Sequence, residues 1–356
     1  MIPRLSQSRL LCPAQLAPSR ADLEVIGVFN PGVVRIENDV VMLVRVAERP
    51  REKRPGLMGL PRWEPDGTCV IDWVGEADFG AIDPRVGQLK SNGRLRLTSV
   101  SSLRVLRQRD GSSDGWLPGP ALLPEMAIEE FGMEDARITK IDQTYWITYV
   151  AVSRQGAATA LISSEDMLTF KRHGLIFCPE NKDVVLFPRQ VDGQYVALHR
   201  PNPNSHFSPP QIWIARSPDL LHWGEHQSLC GGEQCWEGDR VGGGTPPMLI
   251  DEGWLHLYHG SRRTQRDGRV GEYSVGALLL DRDDPSRVLA RSGQPMMAPM
   301  AEYERNGFVP NVVFPTAMIP ASLDQSDDRM SVYYGAADTA IGVVDFSKQD
   351  ILKSLQ

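Results

Sequence analysis

Five recurring two-strand units, a further strand after most of them and the lack of any long helical period predict an all-β chain folded as a five-bladed β-propeller. The first unit reads Gly32-Val33-Val34-Arg35-Ile36, a polar turn at Glu37-Asn38-Asp39, then Val40-Val41-Met42-Leu43-Val44-Arg45. The second pairs Ala136–Ile141 with Tyr145–Tyr149 across Asp142-Gln143-Thr144. The third pairs Pro188–Val191 with Gln194–His199 across Asp192-Gly193, and the fourth pairs Pro247–Ile250 with Trp254–His259 across Asp251-Glu252-Gly253. The fifth, Thr316–Ile319 with Arg329–Tyr334, has a longer turn. β-Branched and aromatic runs broken by short polar turns are the signature of hairpins. Third strands are expected at Ala160–Asp166, Ile212–Asp219 and Val275–Asp281, with a fourth around Thr169–Lys171. Unit starts lie roughly 50 to 70 residues apart, except for a longer first interval, which is the spacing of four-stranded blades. A pair of β-sandwiches does not require this repeated order. Propellers usually close by joining both chain ends in one blade, so residues 1–356 are expected to form a single catalytic domain.

Composition narrows the class. The chain has 356 residues, 41% hydrophobic and 23% charged, with a formal net charge of -7. That balance suits a globular protein and speaks against nucleic acid or an anionic membrane as the main partner. Arg9, Gln15 and Arg20 interrupt the N-terminal stretch, so no signal peptide is expected, and no window is apolar enough to span a bilayer. Five irregularly spaced cysteines fit reduced thiols in a cytoplasmic protein and complete no metal set, so neither a metal nor a cofactor is expected. A homo-oligomer is left open.

In a propeller the first strand of each blade lines the central channel, and residues just before it converge at one mouth. Those positions read Asn30 in Phe29-Asn30-Pro31-Gly32, Asp135 and Arg137 in Gly132–Arg137, Lys182 in Asn181-Lys182-Asp183, Arg240 in Asp239–Gly244, and Asn311 in Val309-Pro310-Asn311. The ends of the second strands add Arg45, Glu48, His199, Arg200, His259, Tyr334 and Asp338. One carboxylate beside several cations can hold an anion while a leaving group is protonated.

Taken in order, Phe29-Asn30-Pro31-Gly32, Glu134-Asp135-Ala136-Arg137, Asp183–Pro188, Leu198-His199-Arg200-Pro201, Gly242–Pro247, Leu257-Tyr258-His259-Gly260 and Tyr334–Asp338 resemble glycoside hydrolase family 130, the inverting β-mannoside phosphorylases and mannosidases. The resemblance runs from about residue 25 to 345 and implies a five-bladed propeller. It also implies that Asp135 is the general acid, its proton passing through a sugar hydroxyl. It implies that Lys182, Arg200, Arg240 and His259 bind phosphate, and that Asn30 and Asp338 hold hydroxyls of the mannosyl unit. Arg45, Glu48, Arg137, His199 and Tyr334 complete the expected substrate-binding set. Some family members exchange Lys and Arg at the places of Lys182 and Arg240, which keeps the charge and alters the fork geometry.

Three activities compete. A phosphorylase needs an acid and cations for phosphate; its expected substrates are a β-mannoside and inorganic phosphate, giving α-mannose 1-phosphate and a shortened acceptor. An inverting hydrolase needs a second carboxylate about 6.5–9.5 Å away as base, for which Glu48, Glu237 and Asp239 are candidates. A sugar-binding propeller without turnover would stack pyranoses on Trp63, Trp73, Trp116, Trp213 or Trp236, and would have no use for Asp135 amid four basic residues. The cation set favours phosphorolysis. The mouth segments Arg51–Asp66 and Pro201–Pro210 are expected to set linkage and acceptor.

Overall fold

Along the strand Asp39–Pro50, Val41 and Leu43 enter one hydrophobic cluster, while Val40, Met42, Val44 and Val46 enter another. Side chains alternate across a strand, so both faces of this sheet are buried, which explains the near-continuous apolar run. The same division recurs at Gly253–Arg262, where Leu255 and Leu257 point into one core and Trp254 and Tyr258 into the next. The computed structural model describes residues 1–109, 115–202, 207–262, 270–324 and 326–355.

Strands fall into sets joined in sequence order. The first set runs Leu23–Ile36, Asp39–Pro50, Val100–Arg109 and Leu117–Leu122. The second runs Gly132–Ile141, Thr144–Ser153, Gly156–Ser164 and Lys171–Phe177. A single parallel pairing, Gly132 with Ser101, joins these two into one 8-stranded sheet. The third set is Asn181–Leu186, Tyr195–Pro201, Ile212–Ser217 and Gly224–Cys230. In the fourth, Arg240–Gly243 and Met248–Ile250 both pair with Gly253–Arg262, followed by Glu272–Leu280 and Val288–Arg291. In the fifth, Val313–Pro320, Arg329–Ala336 and Ala340–Ser347 are completed by the N-terminal strand Ser6–Leu11. The architecture is all-β, and no described helix is long and apolar enough to cross a membrane.

Hydrophobic clusters connect the sets in sequence. One is shared by the first and second sets and another by the second and third. Two more join the third to the fourth and the fourth to the fifth, and a last one brings Ala317, Tyr333 and Ile341 of the fifth against Val28, Val33 and Met42 of the first.

Two expectations about strands need correction. The first strand of the third set is Asn181–Leu186, and Pro188–Val191 lies beyond it. Pro188 has no N–H to give a ladder. In the fourth set the inner strand is broken between Gly243 and Met248, where Pro246 and Pro247 remove two donors. The long first interval is an insert between the second and third strands of the first set. It holds the hairpin Leu57–Trp63/Cys69–Gly75 and a three-stranded sheet, Phe79–Ala81, Val86–Leu89 and Leu95–Leu97. The expected mouth loop Arg51–Asp66 therefore contains the strand Leu57–Trp63; part of Pro201–Pro210 lies outside the described residues.

Candidate active site

Three inner strands carry the same local irregularity. Register slips between Phe29 and Gly32, between Glu134 and Arg137, and between Lys182 and Val185. Inside each slip an Asn or Asp has a positive φ: Asn30 at 49°, Asp135 at 51° and Asp183 at 56°. Short polar side chains tolerate this conformation best after glycine, and a bulge redirects the side chain it carries. All three side chains consequently line one cavity of about 290 Å³, together with Arg45, Arg85, Glu134, Lys182, Arg200, Arg240, His259, Tyr273 and Asp338. The residue of the third set equivalent to Asn30 and Asp135 is thus Asp183, where the sequence alignment of the units had placed Lys182.

Around Asp135 the groups are tightly bonded. Its Oδ1 accepts from Asn30 Nδ2 at 2.8 Å and from Arg45 Nη1 at 3.0 Å. Arg45 Nη2 donates to Glu134 Oε1 at 2.7 Å, and the guanidinium lies 4.5 Å from the centroid of the Phe29 ring. Arg137 works from behind: it donates to the Asp135 carbonyl at 2.7 Å and to the Gly244 carbonyl at 2.6 Å. Burial pushes the Asp135 carboxyl up, but the charges of Arg45 and Arg137 and the bonds from Asn30 and Arg45 outweigh it and hold it below its ordinary value. Asp338, in the turn after Arg329–Ala336, goes the other way: burial raises it, with Asp135 and Glu134 adding to the rise against Arg85 and Arg45.

The opposite wall is basic. Arg200 Nε lies 2.9 Å from Asp183 Oδ2, and His259 Nε2 lies 3.6 Å from the same oxygen. Arg200 Nη1 and both ring nitrogens of His259 are buried without a hydrogen-bond partner. An unpaired buried donor is costly, and an anion entering the cavity would accept from Arg200 Nη1 and from the His259 nitrogen that carries the proton. Burial, then Arg200, Arg137 and Arg240, push His259 well below its usual value. His259 is therefore a neutral donor at pH 7, and the cations of this wall are Lys182, Arg200 and Arg240. Tyr273 raises Arg240 against the effect of burial, with Asp239 adding to the rise. Phosphate is expected to stabilise the protein against heat by about 2.7 kcal/mol at ~100 times its dissociation constant. The shift should shrink in Arg200→Ala; a melting curve indifferent to phosphate would remove the basic wall from the site.

Comparison with known proteins sorts these features into a family. The family model for β-1,4-mannooligosaccharide phosphorylases (Glyco_hydro_130) matches residues 101–356. The chain is 38% identical to a β-1,2-mannobiose phosphorylase of Listeria innocua over 99% of its own length and 98% of the relative's. The chain belongs to glycoside hydrolase family 130. A 1,2-β-oligomannan phosphorylase of Thermoanaerobacter is 36% identical over 71% of this chain and 80% of that protein. Among solved structures, that of the β-1,2-mannobiose phosphorylase from Listeria innocua in complex with β-1,2-mannobiose has a TM-score of 0.89 at 36% identity. It covers 98% of this chain and 99% of that one.

Of the residues expected at a family 130 site, Asn30, Arg45, Asp135, Lys182, Arg200, Arg240, His259 and Asp338 share the cavity. Four do not line it. Arg137 supports Asp135 from outside. Glu48 is buried against Ser19, accepting from its N–H at 2.5 Å and its hydroxyl at 2.7 Å, with Arg104 Nη2 at 3.2 Å. His199 stacks on Phe177 with centroids 4.6 Å apart, contacts Asn181 and His226, and is lowered to about 3 by burial and by His226. Tyr334 donates to Glu304 Oε1 at 2.6 Å.

That last bond belongs to a repeated device. Tyr334, Glu304 and Arg4 are matched by Tyr149, Glu129 and Arg172, and by Tyr258, Glu237 and Arg291. In each, a tyrosine of the second strand and an arginine from the fourth strand or its approach meet a buried glutamate just ahead of the inner strand. Glu237 is therefore paired within this device and Glu48 with Ser19 and Arg104, and neither lines the cavity. None of the tryptophans lines the cavity.

Sequence reasoning missed Arg85, Glu134, Asp183 and Tyr273 as lining residues. Asp183 was findable, because Asn30, Asp135 and Asp183 are the Asn/Asp residues at the same place in equivalent strands, just ahead of where pairing resumes at Gly32, Arg137 and Val185. Arg85 carries no signal, since it lies in the insert and not in the repeat. Among the described residues, no group of three or more His, Cys, Asp or Glu side chains is placed to hold a metal.

Proposed function

We propose that this protein is an inverting β-mannoside phosphorylase that takes β-1,2-linked mannose disaccharides and inorganic phosphate to α-mannose 1-phosphate and mannose. The observation that carries the reading is a single cavity in which Asp135 faces buried basic groups with unpaired donors. The near-full-length likeness to a β-1,2-mannobiose phosphorylase supports the linkage. A phosphate oxygen attacks C1 on the face opposite the leaving oxygen. The new C1–O bond forms as the glycosidic bond breaks, which inverts the centre. Asp135 supplies a proton to the departing oxygen through a hydroxyl of the sugar. Lys182, Arg200, Arg240 and the neutral His259 hold the phosphate, and Asn30, Arg45 and Asp338 hold the mannosyl unit. Positioning and fixed charge do the remaining work at an oxocarbenium-like transition state. A phosphate nucleophile needs no base, which agrees with the commitment of Glu48 and Glu237 elsewhere.

The same reading takes the five strand sets as blades of one propeller formed by residues 1–356, closed by pairing Ser6–Leu11 with Ala340–Ser347. The cyclic order of the hydrophobic clusters and the repeated Tyr–Glu–Arg device support it. It places the protein in the cytoplasm, where mannose 1-phosphate is retained by its charge. The deciding experiment is incubation with β-1,2- and β-1,4-mannobiose, with and without phosphate. Mannose 1-phosphate is expected only when phosphate is present, and faster from the 1,2-linked sugar. Free mannose alone at every phosphate level would make the protein a hydrolase.

A further inference from the structure

Arg85 reaches the cavity from the insert, outside the repeated strands. The insert is a folded unit with its own core of Leu60, Phe79 and Leu89. Its turn at residues 82–86 is fixed at several points. Ile82 N–H donates to Val86 O at 3.0 Å, Thr98 N–H donates to Arg85 O at 2.9 Å, and Thr98 Oγ1 donates to Pro84 O at 2.9 Å. At Gly87 a Cβ would come within 2.1 Å of the Phe79 ring, so any larger residue would push that ring out of the insert's core. Asp83 then orients the Arg85 side chain. Its Oδ1 accepts from the Arg85 backbone N–H at 2.7 Å and its Oδ2 from Nη2 at 3.0 Å. The guanidinium presents Nη1 to Asp338, 3.7 Å from Oδ2, beyond hydrogen-bond range. The Arg85 side chain keeps 40% of its exposure and so stands where a ligand can reach it.

We propose that Arg85 is a sugar-recognition residue that, with Asp338, grips one hydroxyl of the mannoside. The guanidinium donates to the hydroxyl oxygen, and the Asp338 carboxylate accepts the hydroxyl proton. A group that is donor and acceptor at once fits between these two. The insert then contributes directly to glycan recognition, on a scaffold whose other charged site residues come from the repeated strands and the turn that holds Asp338. The inference rests on the phosphorylase reading of the cavity.

The test uses Arg85→Ala and Arg85→Lys in the full chain, assayed with β-1,2-mannobiose and inorganic phosphate. Loss of a hydrogen bond from a charged donor should raise the KM for mannobiose about 10- to 150-fold in Arg85→Ala. The KM for phosphate should stay within about twofold. Arg85→Lys should recover only part of the loss, because an ammonium cannot reproduce the fork on Asp83. Unchanged mannobiose KM, or a rise confined to the phosphate KM, would overturn the assignment. Should wild type form no mannose 1-phosphate, the phosphorylase reading fails by itself, and titration calorimetry with mannobiose decides Arg85. Binding at least about tenfold weaker in Arg85→Ala supports it; equal binding, or none to wild type, overturns it.

Discussion

Asp135→Asn is expected to lower phosphorolysis of mannobiose by about 10²–10⁴-fold, the usual contribution of a general acid, while mannobiose and phosphate still bind. Asn has the same shape, so the bulge and the Arg137 bonds to backbone carbonyls survive. The electrostatics add a second expectation. Arg45, Arg137 and Asn30 outweigh burial and keep Asp135 ionised at neutral pH. An acid must carry a proton to act, so activity falls as pH rises through its pKa. Phosphate brings negative charge into the same cavity and raises that pKa. The basic limb of kcat should therefore lie at higher pH than that of kcat/KM, since the former reports the complex and the latter the free enzyme. Asp135→Asn should lose this limb. A mutant within about tenfold of wild type, or an unchanged pH profile, would remove Asp135 from the acid role.

Strands and their order were legible in the sequence because apolar runs such as Val40–Val46 are buried on both faces. The polar turns between them are short enough to read. Broken strands were less legible: Pro188 and the pair Pro246-Pro247 look like parts of β runs until their missing N–H groups are counted. At the site, Asn30, Asp135, Arg200 and Asp338 were found because repetition places them in register. Tyr334, Glu48 and His199 sit at equally repeated positions but face away from the cavity. Strand position alone does not tell which face a residue takes once a bulge has shifted the register by one. Arg85 was invisible because it owes its place to the insert's own packing.

The second large effect is structural and concerns the Tyr–Glu–Arg device. Glu304 has no exposed side-chain surface. It accepts from Tyr334 Oη at 2.6 Å, Gln7 Nε2 at 2.9 Å, and the backbone N–H groups of Met300 and Ala301 at 2.6 and 2.9 Å. Arg4 Nη1 completes the set at 2.8 Å and ties the segment before the N-terminal strand to the fifth set. Glu304→Ala leaves the Arg4 charge, the tyrosine hydroxyl and two backbone donors without their acceptor. Removing one partner of a buried pair typically costs about 3–5 kcal/mol, so the urea midpoint should fall by that equivalent with the slope unchanged. An exposed control, Glu252→Ala, should stay within about 0.5 kcal/mol. Replacing the three side chains together, as Arg4→Met, Glu304→Leu and Tyr334→Phe, should recover part of the loss, because apolar groups leave no charge stranded. Tyr334→Phe alone should lower stability and leave the mannobiose KM unchanged. A raised KM at wild-type stability would return Tyr334 to the substrate and take it out of the fold.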